Sequence, residues 1–286
     1  MKHTVHEATL KNGAKGLIID VPDATVTSFQ FHFLAGNRYV ADREAYETAH
    51  IMEHMAFGAN SRFKDAHAFG MEFEKNGAHY NAYTSDLSMV YIADCADFEW
   101  DRILDLQRLA IACPRFIAIE LASESGNVRG ELTGYLNSHT RLLWPRLQQA
   151  LGEPVLGYDE RLKLVHNTTL RHIKQHYSTT HTSKNMRFAI TGKMDGSRLS
   201  RVNDMLESWE LEKGHRLKVS RDTLQTAEPF LIRRKEASNI TFAWSMTVPR
   251  KLDDAELEAM ACVDHILTGT LHSKILGAAR RKGLAY

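Results

Sequence analysis

The chain has 286 residues, 43% apolar and 25% charged, which is the balance of a folded globular protein and more length than one core usually organises. Its formal net charge of +1 gives no basic excess for nucleic acid or an anionic membrane, so neither is expected as a partner. The start, Met1-Lys2-His3-Thr4-Val5-His6, lacks the apolar segment of a secretion signal, and no run approaches the length of a membrane span. Cys95, Cys113 and Cys262 are far apart with apolar neighbours and read as reduced core residues, so a cytoplasmic location is expected.

Residues 6–34 read as strands, with Asn12-Gly13 as a hairpin turn. From Thr25 to Leu34 the pattern alternates, with Phe29, Phe31 and Phe33 on one face and Gln30 and His32 on the other. Ala35-Gly36-Asn37-Arg38 breaks the strand, and an apolar helix is expected from Asp42 to Phe57. A second helix from Lys64 buries Ala66, Phe69 and Phe73 and stops at Asn76-Gly77. Strands follow at Tyr80–Ser85 and Ser88–Asp94. Asp97 then caps a helix carrying Trp100, Ile103, Leu106 and Ala110, which Pro114 ends.

Ile117 to Tyr135 reads as helix despite Gly126, Gly130 and Gly134. Their cost suggests close packing against another backbone or a local break. Helix continues to Leu151 with an interruption near Pro145. Asn167–Tyr177 is a further helix, Asn185–Thr191 a strand and Ser197–Leu211 a helix. Residues 212–229 are polar and aperiodic and read as a linker. Strands return at Phe230–Lys235 and Ile240–Val248, followed by helices at Asp253–Leu267 and Leu271–Lys282.

A shift of 211 residues lays Phe29–Phe33 on Ile240–Trp244, His50 on Ala261, Glu53 on Asp264 and His54 on His265. The echo predicts two related domains, 1–211 and 230–286, of which only the first carries a full histidine pair. The expected fold is α+β, a mostly antiparallel sheet with helices packed on one face and the second domain incomplete.

The residues that carry chemistry are His50-Ile51-Met52-Glu53-His54, an H-x-x-E-H pattern and the inverted form of a zinc-peptidase motif. At about 100° per residue, His54 lies about 40° round from His50 and one turn along, so both imidazoles reach one metal. Glu53 falls about 60° to the other side, where a base can take a proton from water. Two surface histidines on a solvated helix would give the same string. The flanking Ala45, Ala49, Ile51, Met52, Met55, Ala56 and Phe57 make this helix too apolar for that. A catalytic zinc takes three protein ligands and a water. The helix after Ile117 offers Glu120, Glu124 and Glu131. Glu124 and Glu131 lie seven apart on one face, and the residues alone leave the choice open.

With these glutamates the chain resembles the pitrilysin/insulinase family of zinc peptidases, which includes the mitochondrial processing peptidase. That family's third ligand is a glutamate on a later helix that carries another glutamate seven residues before it. Glu131 is 77 residues past His54, and Glu124 is seven before Glu131. Leu10-Lys11-Asn12-Gly13, Ala35-Gly36-Asn37-Arg38-Tyr39, Glu74-Lys75-Asn76-Gly77 and Asn81-Ala82-Tyr83-Thr84-Ser85 match further family stretches. The last, Arg281-Lys282-Gly283-Leu284-Ala285-Tyr286, matches a stretch of the family's second half.

The resemblance implies one zinc per chain on His50, His54 and Glu131, with Glu53 as the catalytic base and Glu124 orienting a ligand. It implies an edge strand whose Asn81, Ala82 and Thr84 align an extended peptide substrate, with Tyr286 as a further substrate contact. The family's second-half arginine falls on Ala279, with Arg280 one place off. The implied activity is a zinc-dependent endopeptidase. The alternative is a non-catalytic or weakly active subunit that binds peptides or assembles with a catalytic partner. As for assembly, a homo- or heterodimer, or a missing C-terminal half, is expected.

Overall fold

The hairpin marked by Asn12-Gly13 opens the sheet. β1 (Thr4–Thr9) and β2 (Lys15–Asp20) pair antiparallel. Gly13 turns between them at a φ of 95°, which a side chain would resist. The computed structural model describes residues 2–219, 222, 223, 225–235, 240–248 and 250–284. β3 (Val26–Leu34), β4 (His79–Thr84), β5 (Ser88–Ala96) and β6 (Arg187–Gly192) complete a six-stranded sheet in the order β1-β2-β6-β3-β5-β4. Only β2 and β6 run parallel. β3 buries Phe29, Phe31 and Phe33 on one face, as alternation requires, while Gln30 is exposed. β4 ends the sheet as an edge strand against β5.

Among the described residues of 1–242, eight helices accompany the sheet: α1 (Thr48–Ala56), α2 (Ala66–Glu74), α3 (Trp100–Ala112), α4 (Ala118–Leu136), α5 (His139–Ala150), α6 (Tyr158–Leu164), α7 (Leu170–Thr180) and α8 (Gly196–Glu207). Residues 243–286 form a separate compact unit holding α9 (Asp254–Thr268) and α10 (Lys274–Arg281). No helix among the described residues is long and apolar enough to cross a membrane.

Several elements depart from the sequence expectation, each for a local reason. The motif helix starts at Thr48 rather than Asp42. Arg43–Ala45 forms its own 3-10 turn, with the Asp42 carboxylate accepting from the Glu44 N–H. Asp65 caps α2 by accepting from the Ala68 N–H, which leaves Ala66 exposed while Phe69 and Phe73 are buried. Asp97 does not cap α3. Its carboxylate accepts from Arg198 at 2.6 Å and Thr27 at 3.1 Å, and a 3-10 turn leads into the helix.

α4 is unbroken, and a Cβ added at Gly126, Gly130 or Gly134 would meet nothing within 4 Å, so those glycines face open space. The break comes instead at Ser138, whose hydroxyl caps α5, and Pro145 lies inside that helix. Asn167 sits in a 3-10 turn, and Thr169 caps α7. α8 ends at Glu207, short of Leu211. α6 has no counterpart in the expected elements.

The strands expected at Phe230–Lys235 and Ile240–Val248 do not form. Alternation supplies the faces of a strand, but a strand also needs a ladder partner. Ile240, Phe242, Trp244 and Met246 are all exposed. The described residues between 212 and 229 are irregular but tied down. Glu212 and Lys213 carbonyls accept from Ser183 and Lys184, Asp222 pairs with Arg38 at 2.6 Å, and the Gln225 N–H donates to Leu151. The cysteines are free, with Cys95 buried, Cys113 half-buried and Cys262 exposed rather than in a core.

Candidate metal centre

α1 brings the motif together because its other faces are buried. Ala49, Ile51, Met52, Met55 and Ala56 are at most 1% exposed. A short helix with that much apolar surface can only sit inside the domain, and this fixes where the remaining face points. The His50 and His54 rings lie 5.0 Å apart, as one helical turn dictates.

Each imidazole faces a carboxylate at both nitrogens. His50 Nδ1 meets Glu47 Oε2 at 3.1 Å, and its Nε2 faces Glu131 Oε2 at 3.4 Å. His54 Nδ1 meets Glu124 Oε2 at 3.0 Å, and its Nε2 faces Glu131 Oε1 at 3.6 Å. Ligand atoms about 2.0–2.2 Å from a tetrahedral zinc lie about 3.3–3.6 Å from one another. The Glu131 carboxylate therefore stands off both Nε2 atoms by the separation that a shared zinc would set. Carboxylates behind the outer nitrogens are the usual supports of metal-binding histidines. Glu47, Glu53, Glu124 and Glu131 all bear on the two imidazoles, and among the described residues Arg161 pairs with Glu47 alone, so the local field favours a bound cation.

Proximity alone selects a different trio, since one ligand atom each from His50, Glu53 and His54 lies within 4.8 Å of the others. Ring direction distinguishes the two carboxylates. Both Nε2 atoms face Glu131, whereas Glu53 Oε2 accepts the Thr84 hydroxyl at 3.1 Å. Burial pushes the Glu53 carboxyl above the ordinary glutamate range, against the pull of His54 and His50. Burial also opposes a charge on His54, but the Glu124 hydrogen bond and the charges of Glu53, Glu131 and Glu124 outweigh it and raise that pKa. Glu124, hydrogen-bonded to His54 and to Asn127, is held below the usual carboxylate range. Glu120 is occupied elsewhere: its Oε1 accepts from the Ala59 N–H at 2.7 Å, tying down the turn after α1.

The edge-strand residues lie as the β4 register dictates. Asn81 is exposed, and its side-chain oxygen accepts from the Ala82 N–H at 2.9 Å. Thr84 faces Glu53, so its hydroxyl reaches the candidate base. Tyr286 lies outside the described residues, and α10 carries Ala279 and Arg280.

Three groups escaped the sequence reading. Glu47 is fully buried and takes two hydrogen bonds from Arg161, at 2.6 and 2.9 Å. Tyr135 donates to Glu131 Oε2 at 3.4 Å. Glu47 precedes His50 by three residues, a spacing that holds for any i,i+3 pair and marks nothing by itself. Arg161 lies on α6, which was not anticipated. Tyr135 follows Glu131 by four, so it was legible as a helical neighbour.

Residues 20–154, which hold His50, Glu53, His54, Glu124 and Glu131, match the family described as "Insulinase (Peptidase family M16)", and residues 167–286 match "Peptidase M16 inactive domain". A protein of Rickettsia felis named an uncharacterized zinc protease is 23% identical over all of this chain and 69% of its own length. Zinc protease YmxG of Bacillus subtilis, also named uncharacterized, is 24% identical over 97% of this chain and 68% of its own. The mitochondrial-processing peptidase subunit beta of Neurospora crassa is 30% identical over 59% of this chain and 37% of its own. The chain thus spans about two thirds of the first two relatives and much less of the third. Among solved structures, a peptidase M16 inactive domain from Pseudomonas fluorescens superposes with a TM-score of 0.77 at 20% identity, covering 98% of this chain and 68% of that one. A protease from Helicobacter pylori superposes with a TM-score of 0.63 at 20% identity, covering 79% and 53%.

Proposed function

The chain belongs to the insulinase family, peptidase M16, and from that premise we propose that it is a zinc-dependent endopeptidase acting on extended or unstructured peptides. One observation carries the proposal: both Nε2 atoms of the H-x-x-E-H histidines face the Glu131 carboxylate at 3.4 and 3.6 Å, with their Nδ1 atoms backed by carboxylates. His50, His54 and Glu131 are the proposed zinc ligands, one ion per chain. Zinc there would supply the Lewis acidity that polarises the scissile carbonyl and acidifies the attacking water.

The chain's own residues do the rest. Glu53, its basicity raised by burial, takes a proton from the attacking water and returns it to the departing amine. The Thr84 hydroxyl holds one Glu53 oxygen so that the other is free for that transfer. Glu124 keeps the His54 ring turned toward Glu131. The outer edge of β4 offers main-chain hydrogen bonds to any extended peptide, which suits a substrate read by backbone rather than sequence. A peptide docking there brings a carbonyl to accept the Ala82 N–H that the Asn81 side chain now accepts.

A second reading has one observation in its favour, the match of residues 167–286 to a domain described as inactive. On that reading the chain is a non-catalytic or weakly active subunit that binds peptides and pairs with a catalytic partner, as a homo- or heterodimer. The distinguishing experiment follows cleavage of an unstructured fluorogenic peptide with chelator and with zinc restored. Chelator-sensitive cleavage that returns at one zinc per chain supports the endopeptidase. Zinc binding without cleavage supports the subunit.

A further inference from the structure

His50 and His54 are backed by carboxylates of different kinds. Glu124, behind His54, is partly exposed and shares its oxygen with Asn127. Glu47, behind His50, has no exposed surface. A buried carboxylate is costly unless paired and hydrogen-bonded, and Arg161 supplies both, with Nε on Oε1 at 2.6 Å and a terminal nitrogen on Oε2 at 2.9 Å. The guanidinium, itself only 15% exposed, comes from α6, 114 residues along the chain. It lies 5.7 Å from the Tyr46 ring and 5.6 Å from the Tyr158 ring. Both partners are therefore locked before His50 is considered.

Arg161 occupies both Glu47 oxygens from one side, and Oε2 still reaches His50 Nδ1 at 3.1 Å. An ionised carboxylate only accepts, so this bond requires the proton on Nδ1, and the neutral ring then carries its lone pair on Nε2, toward Glu131. We infer that Glu47, clamped by Arg161, is a positioning residue for His50. It fixes the ring's tautomer and aims Nε2 at the proposed zinc site, so half of the histidine pair is set from α6 rather than from α4. The inference rests on the zinc reading and extends it.

Two measurements test it. The first compares zinc affinity by chelator competition, with apo-protein Tm, in the wild type, E47L/R161M and E47Q/R161M. Replacing a buried ion pair by apolar residues of similar volume is often tolerated by the fold. E47L/R161M removes the acceptor behind Nδ1, while E47Q/R161M keeps an uncharged one. The expected result is zinc binding about 10–100-fold weaker in E47L/R161M, partly recovered in E47Q/R161M, at similar apo Tm. A zinc Kd in E47L/R161M less than about tenfold weaker than wild type overturns the inference, since loss of the acceptor behind a ligand should cost at least that much. The second uses no variant: 15N NMR of the apo wild type, followed to a pH at which the ring is neutral, should show His50 as the Nδ1–H tautomer, and an Nε2–H tautomer overturns the inference even if every variant misfolds. Wild type that binds no zinc at all defeats the zinc reading, and the tautomer still decides the role of Glu47.

Discussion

α1 and α9 are the same idea in two settings. Each is an apolar helix with a histidine preceded by an acid, His54 after Glu53 and His265 after Asp264, at equal distance from an alternating apolar stretch. In the first copy that stretch is β3, paired with β5 and β6, and α1 buries Thr48, Ala49, Ile51, Met52, Glu53, Met55 and Ala56. In the second copy the stretch from Ile240 to Val248 pairs with nothing among the described residues, and α9 buries none of its residues. Similar strings thus give a site in one case and a solvated helix in the other. Burial is what makes the difference chemical. It raises the basicity of Glu53 and brings the Glu47, Glu124 and Glu131 carboxylates onto the two imidazoles. The described contacts of Asp264 are with Thr268, on its own helix.

The largest effect expected from this contrast is on metal binding. His50→Ala or His54→Ala should abolish stoichiometric zinc, because two remaining protein ligands hold zinc poorly. His265→Ala should leave zinc content unchanged. Metal analysis of the three purified proteins checks it, and comparable zinc loss from His265→Ala would erase the distinction between the copies.

Stability should sharpen the same comparison at a smaller scale. Ile51 is fully buried, and Ile51→Ala should cost about 2–5 kcal/mol in denaturant unfolding. Ile266 is 55% exposed, and Ile266→Ala should stay within about 0.5 kcal/mol. Equal losses would mean that α9 is covered in solution.

How far this was legible in the sequence follows from which interactions are local. The H-x-x-E-H face is set by helix geometry, so His50, Glu53 and His54 could be read directly. Choosing Glu131 over Glu120 and Glu124 needed a family spacing, since all three share one helix and only the fold sends Glu120 to Ala59. Glu47 was invisible because its importance comes from Arg161, on an element with only seven residues. The failed strands at 230–235 and 240–248 are the opposite case. Their alternation was real, but pairing is a property of what lies beside a strand, which no local pattern records. The α4 glycines misled similarly, since a glycine facing solvent and one facing a neighbouring backbone look alike in sequence.

The proposed chemistry turns on Glu131 as the ligand and Glu53 as the base. The most direct test measures zinc content and peptide turnover on one preparation of Glu53→Gln. Zinc should equal that of wild type and turnover should fall by about 10²–10⁴-fold, as removal of a general base entails. Zinc lost as completely as in His50→Ala would make Glu53 a ligand and overturn this assignment. So would turnover left at the wild-type rate.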